Sequence, residues 1–286
     1  MKFKQTLLWF IKALVRLIWW LLWLLILALI GLTVYAHLQT PRLDRNWYGD
    51  VAVMPTVMFS GNLVTIRNIR NTRYRTTDDY TVTYYDKTFN LTDLDELRFV
   101  VEPFSDYRGP AHTFLSFGFS GEYVSISIET RKEVGEHYDP LKWLAGKYEL
   151  MYVIASEQDV IGLRANHRKD QVYLYPINTT SDKMKSLFTD MVMKAQELSQ
   201  IPQFYNTIYP NCTSSIRSHI NKLREDRIPF SWKLILPSYS NELAYDLGLI
   251  QNPSNLSLIQ LQQKYHINIR AAQCPEDERF SKCIRQ

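Results

Sequence analysis

The sequence predicts an N-terminal membrane-spanning helix followed by one α+β domain, an antiparallel sheet packed with helices, and three observations predict it. Residues 17–36 read LIWWLLWLLILALIGLTVYA, twenty residues without a formal charge. Between Asn62 and Ile177, short segments alternate apolar and polar side chains, the two-residue period of half-buried strands. From Asp182 onward the apolar spacing changes to three and four, the period of an amphipathic helix.

Each element follows in order. Residues 1–16 form a basic segment carrying Lys2, Lys4, Lys12 and Arg16. The next twenty, at about 1.5 Å per residue, span a hydrocarbon core of roughly 30 Å. Positive charge concentrates before this helix, so the N-terminus is expected in the cytoplasm and the bulk of the chain outside. A cleaved signal peptide is the competing reading, but its apolar region is usually about 7 to 15 residues long. Residues 37–61, punctuated by proline, read as a short tether. In residues 62–286 the strand-like words are NLVTIRNIR, YTVTYY, HTFLSFGF, YVSISIETR, YELMYVIAS and QVYLYPI. A helix is expected over Asp182–Gln200, with Met184, Leu187, Phe188, Met191, Ala195 and Leu198 on one face. A second should start at Asn211 or Cys212 and bury Ile216, Ile220 and Leu223, and a third, SNELAYDLGLI, should stop at Gly248.

Charge and composition exclude several functions. The net charge is +4, but residues 1–45 alone carry +5, leaving 27 basic and 28 acidic residues beyond them. A neutral body has no electrostatic hold on a phosphate backbone, so no nucleic-acid partner is expected. Ten glycines without a Gly-x-Gly-x-x-Gly or Gly-x-x-x-x-Gly-Lys run disfavour dinucleotide and P-loop cofactors. Cysteine usage fits an oxidising compartment: Cys274 and Cys283 bracket a short polar loop and could close a disulfide, which leaves Cys212 alone.

Cys212 is the residue with chemistry to offer. In FYNTIYPNCTSSI it falls at a helix start, where unpaired N–H groups and the helix dipole favour thiolate over thiol and could also bind an oxyanion. The alternative is an inert, buried small hydrophobe. Of the six histidines, His219 lies two turns along the same helix, about 10.5 Å from Cys212, and His37, His137, His167 and His266 lie in the tether or in polar stretches. His112 opens an apolar strand, where an imidazole needs a reason. If the following turn falls at Ser120 and Gly121, His112 faces Glu129, which would fix its tautomer; a one-residue slip would substitute Thr130. Tyr205, Asn206 and Asn211 stand near Cys212 as donors to the anion site, Asn211 also being a natural cap. No His-Glu-x-x-His or Cys-x-x-Cys occurs, so neither a metal nor another cofactor is expected.

These residues also carry a resemblance. The run NLVTIRNIRNTRYRTTDDY, then AHTFLSFGF, YVSISIETRKEVGEHY, YELMYVIASEQDVIGLR, QVYLYP and FYNTIYPNCTSSI, from about Asn62 to Leu249, resembles the Lnb N-terminal periplasmic domain family. Some members are lipoprotein N-acyltransferases, which move an acyl chain from a glycerol oxygen to the N-terminal amine of a lipoprotein. The order His112 then Cys212 is also similar to permuted papain-like thiol enzymes of the NlpC/P60 group. The resemblance implies a single-pass protein of the bacterial inner membrane whose catalytic domain, residues 62–286, faces the periplasm. Membrane and lipid or lipoprotein substrate are the partners it implies; the oligomeric state is left open. The expected function is thus thiol acyl transfer through Cys212, His112 and Glu129. A cell-wall amidase or peptidase and a non-enzymatic envelope protein are the alternatives.

Overall fold

A computed structural model of the chain describes residues 2–104, 108–136, 148–205, 211–223 and 225–286. Helix α1 runs Lys2–Leu38, and its apolar part, Trp9–Tyr35, is long enough to cross a membrane. A signal sequence would meet the same criterion. The apolar stretch starts eight residues before the expected Leu17 because Trp9 to Val15 continue it past the isolated charges of Lys12 and Arg16.

The alternating segments form one nine-stranded sheet. Its strands are β1 (Thr56–Ser60), β2 (Leu63–Arg70), β5 (Tyr84–Asn90), β6 (Leu94–Pro103), β7 (Ala111–Phe119), β8 (Glu122–Arg131), β9 (Tyr148–Ala155), β10 (Tyr173–Pro176) and β11 (Phe204–Tyr205). A separate two-stranded ribbon joins β3 (Arg73–Tyr74) to β4 (Tyr80–Thr81). The main order is β1-β2-β9-β8-β7-β6-β10, with β5 on the other edge of β2 and β11 along β9. Among the described residues all ladders are antiparallel but one: Arg70 pairs with Ala155 in parallel, so the sheet is mixed rather than antiparallel throughout. The β7–β8 turn falls at Ser120 and Gly121, both at positive φ, the geometry of a two-residue hairpin that matches strand twist.

Helices cover both faces. On one lie α3 (Ser181–Leu198), α4 (Cys212–Lys222) and α5 (Ser240–Asp246), against Leu115, Phe117, Ile126 and Ile154. The periodic face of α3 is buried as expected, and Phe188 meets the rings of Phe89, Phe117 and Phe119 at centroid distances of 5.1–6.3 Å. Truncation of such a ring typically costs about 3–5 kcal/mol. Helix α6 (Leu258–Tyr265) joins the first face through Leu261 and through Tyr265, whose ring meets Tyr175. On the other face lie α2 (Glu157–Gly162), the π-helical turn Leu163–Arg168, and the C-terminal helices α7 (Asn268–Gln273) and α8 (Phe280–Cys283). The Cys274–Cys283 disulfide closes the last of these, and Arg285 ties them to Glu157 at 2.6 Å.

Three further features differ from the sequence expectation. Strand β6, missed because LRFVV is buried on both faces and does not alternate, lies between β7 and β10. The word YTVTYY divides, its start pairing with β3 and its end with β2. The tether over 37–61 is docked: Trp47 and Val51 are buried, and Thr56–Ser60 is a strand.

Candidate functional site

Helix α4 begins with a capping box. Asn211 Oδ1 accepts from the Ser214 N–H at 2.8 Å, and Ser214 Oγ accepts from the Asn211 N–H at 2.7 Å. Asn211 Nδ2 donates to the Leu234 carbonyl at 3.0 Å. Its amide is committed to holding this helix start, the capping use of asparagine, rather than to an anion. The first turn carries no acidic side chain, so the positive end of the helix dipole is uncompensated there.

Cys212 is the first residue of α4, a free cysteine with 4% of its surface exposed. Its N–H is not open. It donates to the hydroxyl of Tyr205 at 2.9 Å. Burial, followed by the neighbouring Cys212, pushes the Tyr205 phenol well above its ordinary range, so it stays protonated. Its oxygen is filled by the amide, and its own proton remains available to a developing negative charge. Tyr205 thus occupies the place where an oxyanion donor was expected. Asn206 and His137 lie outside the described residues.

His112, second residue of β7, sits at the same end of the sheet. The β7–β8 ladder stops at Phe114–Ser127, while β7 stays paired with β6 down to Ala111 and β8 with β9 to Arg131. Beyond Phe114 the two strands no longer pair through their backbones. Their register still sets His112 opposite Glu129, and Ser127 bridges them: His112 Nε2 to Ser127 Oγ is 2.7 Å, and Ser127 donates to Glu129 Oε1 at 2.8 Å. The direct separation of His112 Nε2 and Glu129 Oε1 is 3.8 Å. An ionised carboxylate only accepts, so the Ser127 proton points to Glu129 and Nε2 must carry the imidazole proton. Nδ1 is then the basic nitrogen.

Electrostatics fix these states. Burial would raise the Glu129 carboxyl, but Arg164 at 3.1 Å, together with Arg70, His112 and the Ser127 hydroxyl, outweighs it and holds the group well below the carboxylate range. Burial first, then the charge of Arg164, pushes the His112 imidazole down to about 3, so it is neutral at pH 7. Arg164 also pairs with the fully buried Glu102, whose carboxyl burial pushes up to about 7.

The sulfur and the imidazole are close in topology but not bonded. Thr113 Oγ1 meets Thr213 Oγ1 at 2.9 Å, so the residues next to His112 and Cys212 touch. Successive strand residues face opposite ways. Thr113 therefore faces α4, while His112 turns to the other face and stacks on Phe114. The expected Cys212–His112 hydrogen bond is absent, and the two groups flank the open end of β7 and β8. His219 binds Asp190 and Tyr152 and does not take part. His167 pairs with Glu276, and His266 packs on Tyr173.

Sequence reasoning missed Ser127 and Arg164. Ser127 was readable: in YVSISIETR, Ser125, Ser127, Glu129 and Arg131 share one face, an unusual polar row in a buried strand. Arg164 was not, because the helical segment bearing it was not anticipated.

The site also lies near the apolar helix. Four residues after Leu38, the Arg42 N–H reaches Glu149 on β9 at 3.3 Å. Glu149 pairs with Phe204, the neighbour of Tyr205. Four extended residues span at most about 14 Å. Among known proteins, a family model described as the Lnb N-terminal periplasmic domain matches residues 80–238, more than half of the chain. No curated protein and no solved structure matches it.

Proposed function

The chain belongs to the Lnb N-terminal periplasmic domain family, and from that premise we propose that it is a membrane-anchored thiol acyltransferase acting on lipid-linked substrates at the outer face of the bacterial inner membrane. The observation that carries the reading is the free Cys212 at an acid-free helix start with the protonated Tyr205 hydroxyl on its N–H.

In the reaction, His112 Nδ1 takes the proton from Cys212, and the thiolate attacks an ester carbonyl. The C–S bond forms, and Tyr205 donates to the oxyanion. Collapse breaks the C–O bond, the departing alkoxide takes the proton back from His112, and a thioester remains. An amine then attacks the thioester and loses its proton to His112, and breaking the C–S bond restores the thiol. O-to-N transfer on a lipoprotein is the version the family suggests. Closing the dyad requires the imidazole to leave Ser127 and swing round the unpaired end of β7 and β8, and catalytic contacts that tighten only with substrate are common.

Membrane proximity supports a lipid substrate, since a short connection raises the local concentration of anything held in the bilayer. So does the segment Ile228–Tyr239, which holds Asn211 through Leu234 and exposes Phe230, Trp232, Ile235 and Leu236 beside Lys233. Aromatic and aliphatic groups with a lysine suit a headgroup boundary. A cell-wall amidase would want a polar groove beside Cys212, and the space beyond Thr213 is lined largely by leucine and isoleucine.

The test is mass spectrometry of the full chain after incubation with a bacterial lipid extract. A fatty-acyl mass on the Cys212 peptide, removable by hydroxylamine and absent from Cys212→Ala, is the expected result. No adduct with any lipid class would overturn the reading.

A further inference from the structure

On the helical face of the sheet, a cavity of about 430 Å³ lies immediately past Thr213. Leu97, Phe99 and Leu115 form its floor, Ile216 and Ile220 of α4 one wall, and Ala244 of α5 with Leu247, the residue that caps it, another. Small-molecule sites commonly measure about 300–1,000 Å³, so this one is large enough to hold a ligand. Its exposed rim carries Asn178, Thr180 and Lys183, and its depth, at Leu115, Ile216 and Ala244, is apolar. Arg217, Thr179 and Ser240 add polar groups to a lining in which leucine and isoleucine predominate, but Arg217 already donates to the Ile228 carbonyl and Ser240 to that of Pro237, so a ligand there gains chiefly by burying hydrocarbon.

The inner end identifies the occupant. Thr213 lines the cavity, and its hydroxyl stands 3.9 Å from the Cys212 sulfur while bonding Thr113. Thr213 thus touches both the sulfur and the hydrocarbon-lined space, with Thr113 bonded to its hydroxyl. A group attached to Cys212 through a thioester would pass this pair and continue into the cavity. Ile228 and Leu234 also line the cavity and belong to the segment whose outward residues Phe230 and Trp232 are exposed, so the cavity adjoins an apolar surface.

We propose that this cavity is the acyl-chain site and that the Thr113–Thr213 pair is its gate. At roughly 30 Å³ per water-sized group, about the size of a methylene, it takes one linear chain of ~14 carbons. The inference rests on the acyl-transfer reading and extends it to the class of chain transferred.

The experiment measures binding without chemistry. Full-length Cys212→Ala protein is held in a bile-salt detergent, which has no linear alkyl chain to compete, and titrated with octanol, tetradecanol and octadecanol. These alcohols are uncharged, so Lys183 on the rim gives no spurious hold. Referred to the free alcohol in water, affinity should rise about four-fold per buried methylene up to tetradecanol and level off at octadecanol. Ala244→Trp fills the depth of the cavity and should weaken tetradecanol at least ten-fold while octanol changes less. Leu247→Trp, on the exposed rim where folding is not at risk, should weaken tetradecanol in the same direction and decides the matter if Ala244→Trp does not fold. Absent binding, a flat dependence on length, or unchanged affinity in both variants overturns the proposal. Length-dependent binding without any acyl adduct on Cys212 would leave a hydrocarbon site and remove the transferase, so the two failures are distinguishable.

Discussion

Replacing Ser127 with alanine removes the one hydroxyl that joins His112 to Glu129. Two bonds are lost, a charge-assisted one to the carboxylate at 2.8 Å and one from the imidazole at 2.7 Å. Bonds to charged groups are worth about 1.5–3 kcal/mol and neutral ones about 0.5–1.5. Glu129 keeps Arg164, and the missing oxygen leaves little space, which places the loss at about 2–3 kcal/mol. For a domain of this size that is roughly 5–10 °C in melting temperature, readable by tryptophan fluorescence of the full chain. Without Ser127 the imidazole can also place its proton on Nδ1, the nitrogen the mechanism needs free. Transfer should therefore slow by about 10²-fold, the lower end of what a positioned proton carrier contributes. A variant that melts like the wild type, or that melts early while transferring acyl groups at the normal rate, would refute the Nε2–H assignment and the bridge.

Other outcomes follow from the same geometry. Tyr205→Phe leaves the buried Cys212 N–H without its acceptor and should cost about 1–3 kcal/mol, together with a fall in kcat larger than any change in KM. Acid should destabilise the fold through His112: its folded value is near 3, so below about 6.5 the unfolded chain takes up a proton that the folded chain refuses. Stability then drops by up to about 1.4 kcal/mol per pH unit between pH 6.5 and 3, and His112→Gln should flatten the slope of denaturant midpoint between pH 6.5 and 5. Phe230→Ser with Trp232→Ser should raise KM for substrate in vesicles several-fold and leave KM for a monomeric, short-chain ester unchanged; equal effects on both would contradict a role at the bilayer.

Much of the fold was readable because its signals are local. The run from Leu17 needs no tertiary context, the Ser120–Gly121 turn sets the β7–β8 register, and Asn211 before CTSSI marks a helix start. Strand β6 was hidden because both faces are buried, which erases alternation, and the parallel Arg70–Ala155 pair joins segments 85 residues apart that no local pattern links. The site divides the same way. Cys212, the His112–Glu129 register and the polar row that includes Ser127 were legible, whereas the Tyr205 hydroxyl on the Cys212 N–H and the Arg164 charge that acts beside burial on His112 and Glu129 depend on tertiary contacts no local pattern shows. The face on which the imidazole lies depends on strand parity relative to α4, and that became visible only when Thr113 was seen to meet Thr213.

The central claim is that Cys212 and His112 act as one catalytic unit although β7 separates them. Single-turnover acyl transfer in wild type, Cys212→Ala, His112→Ala and the double variant tests it most directly, because residues that act together lose activity non-additively. The account predicts that each single variant loses nearly all transfer and that the double variant is no worse than either. A His112→Ala protein that still transfers within a few-fold of the wild type, or losses that multiply in the double variant, would contradict it.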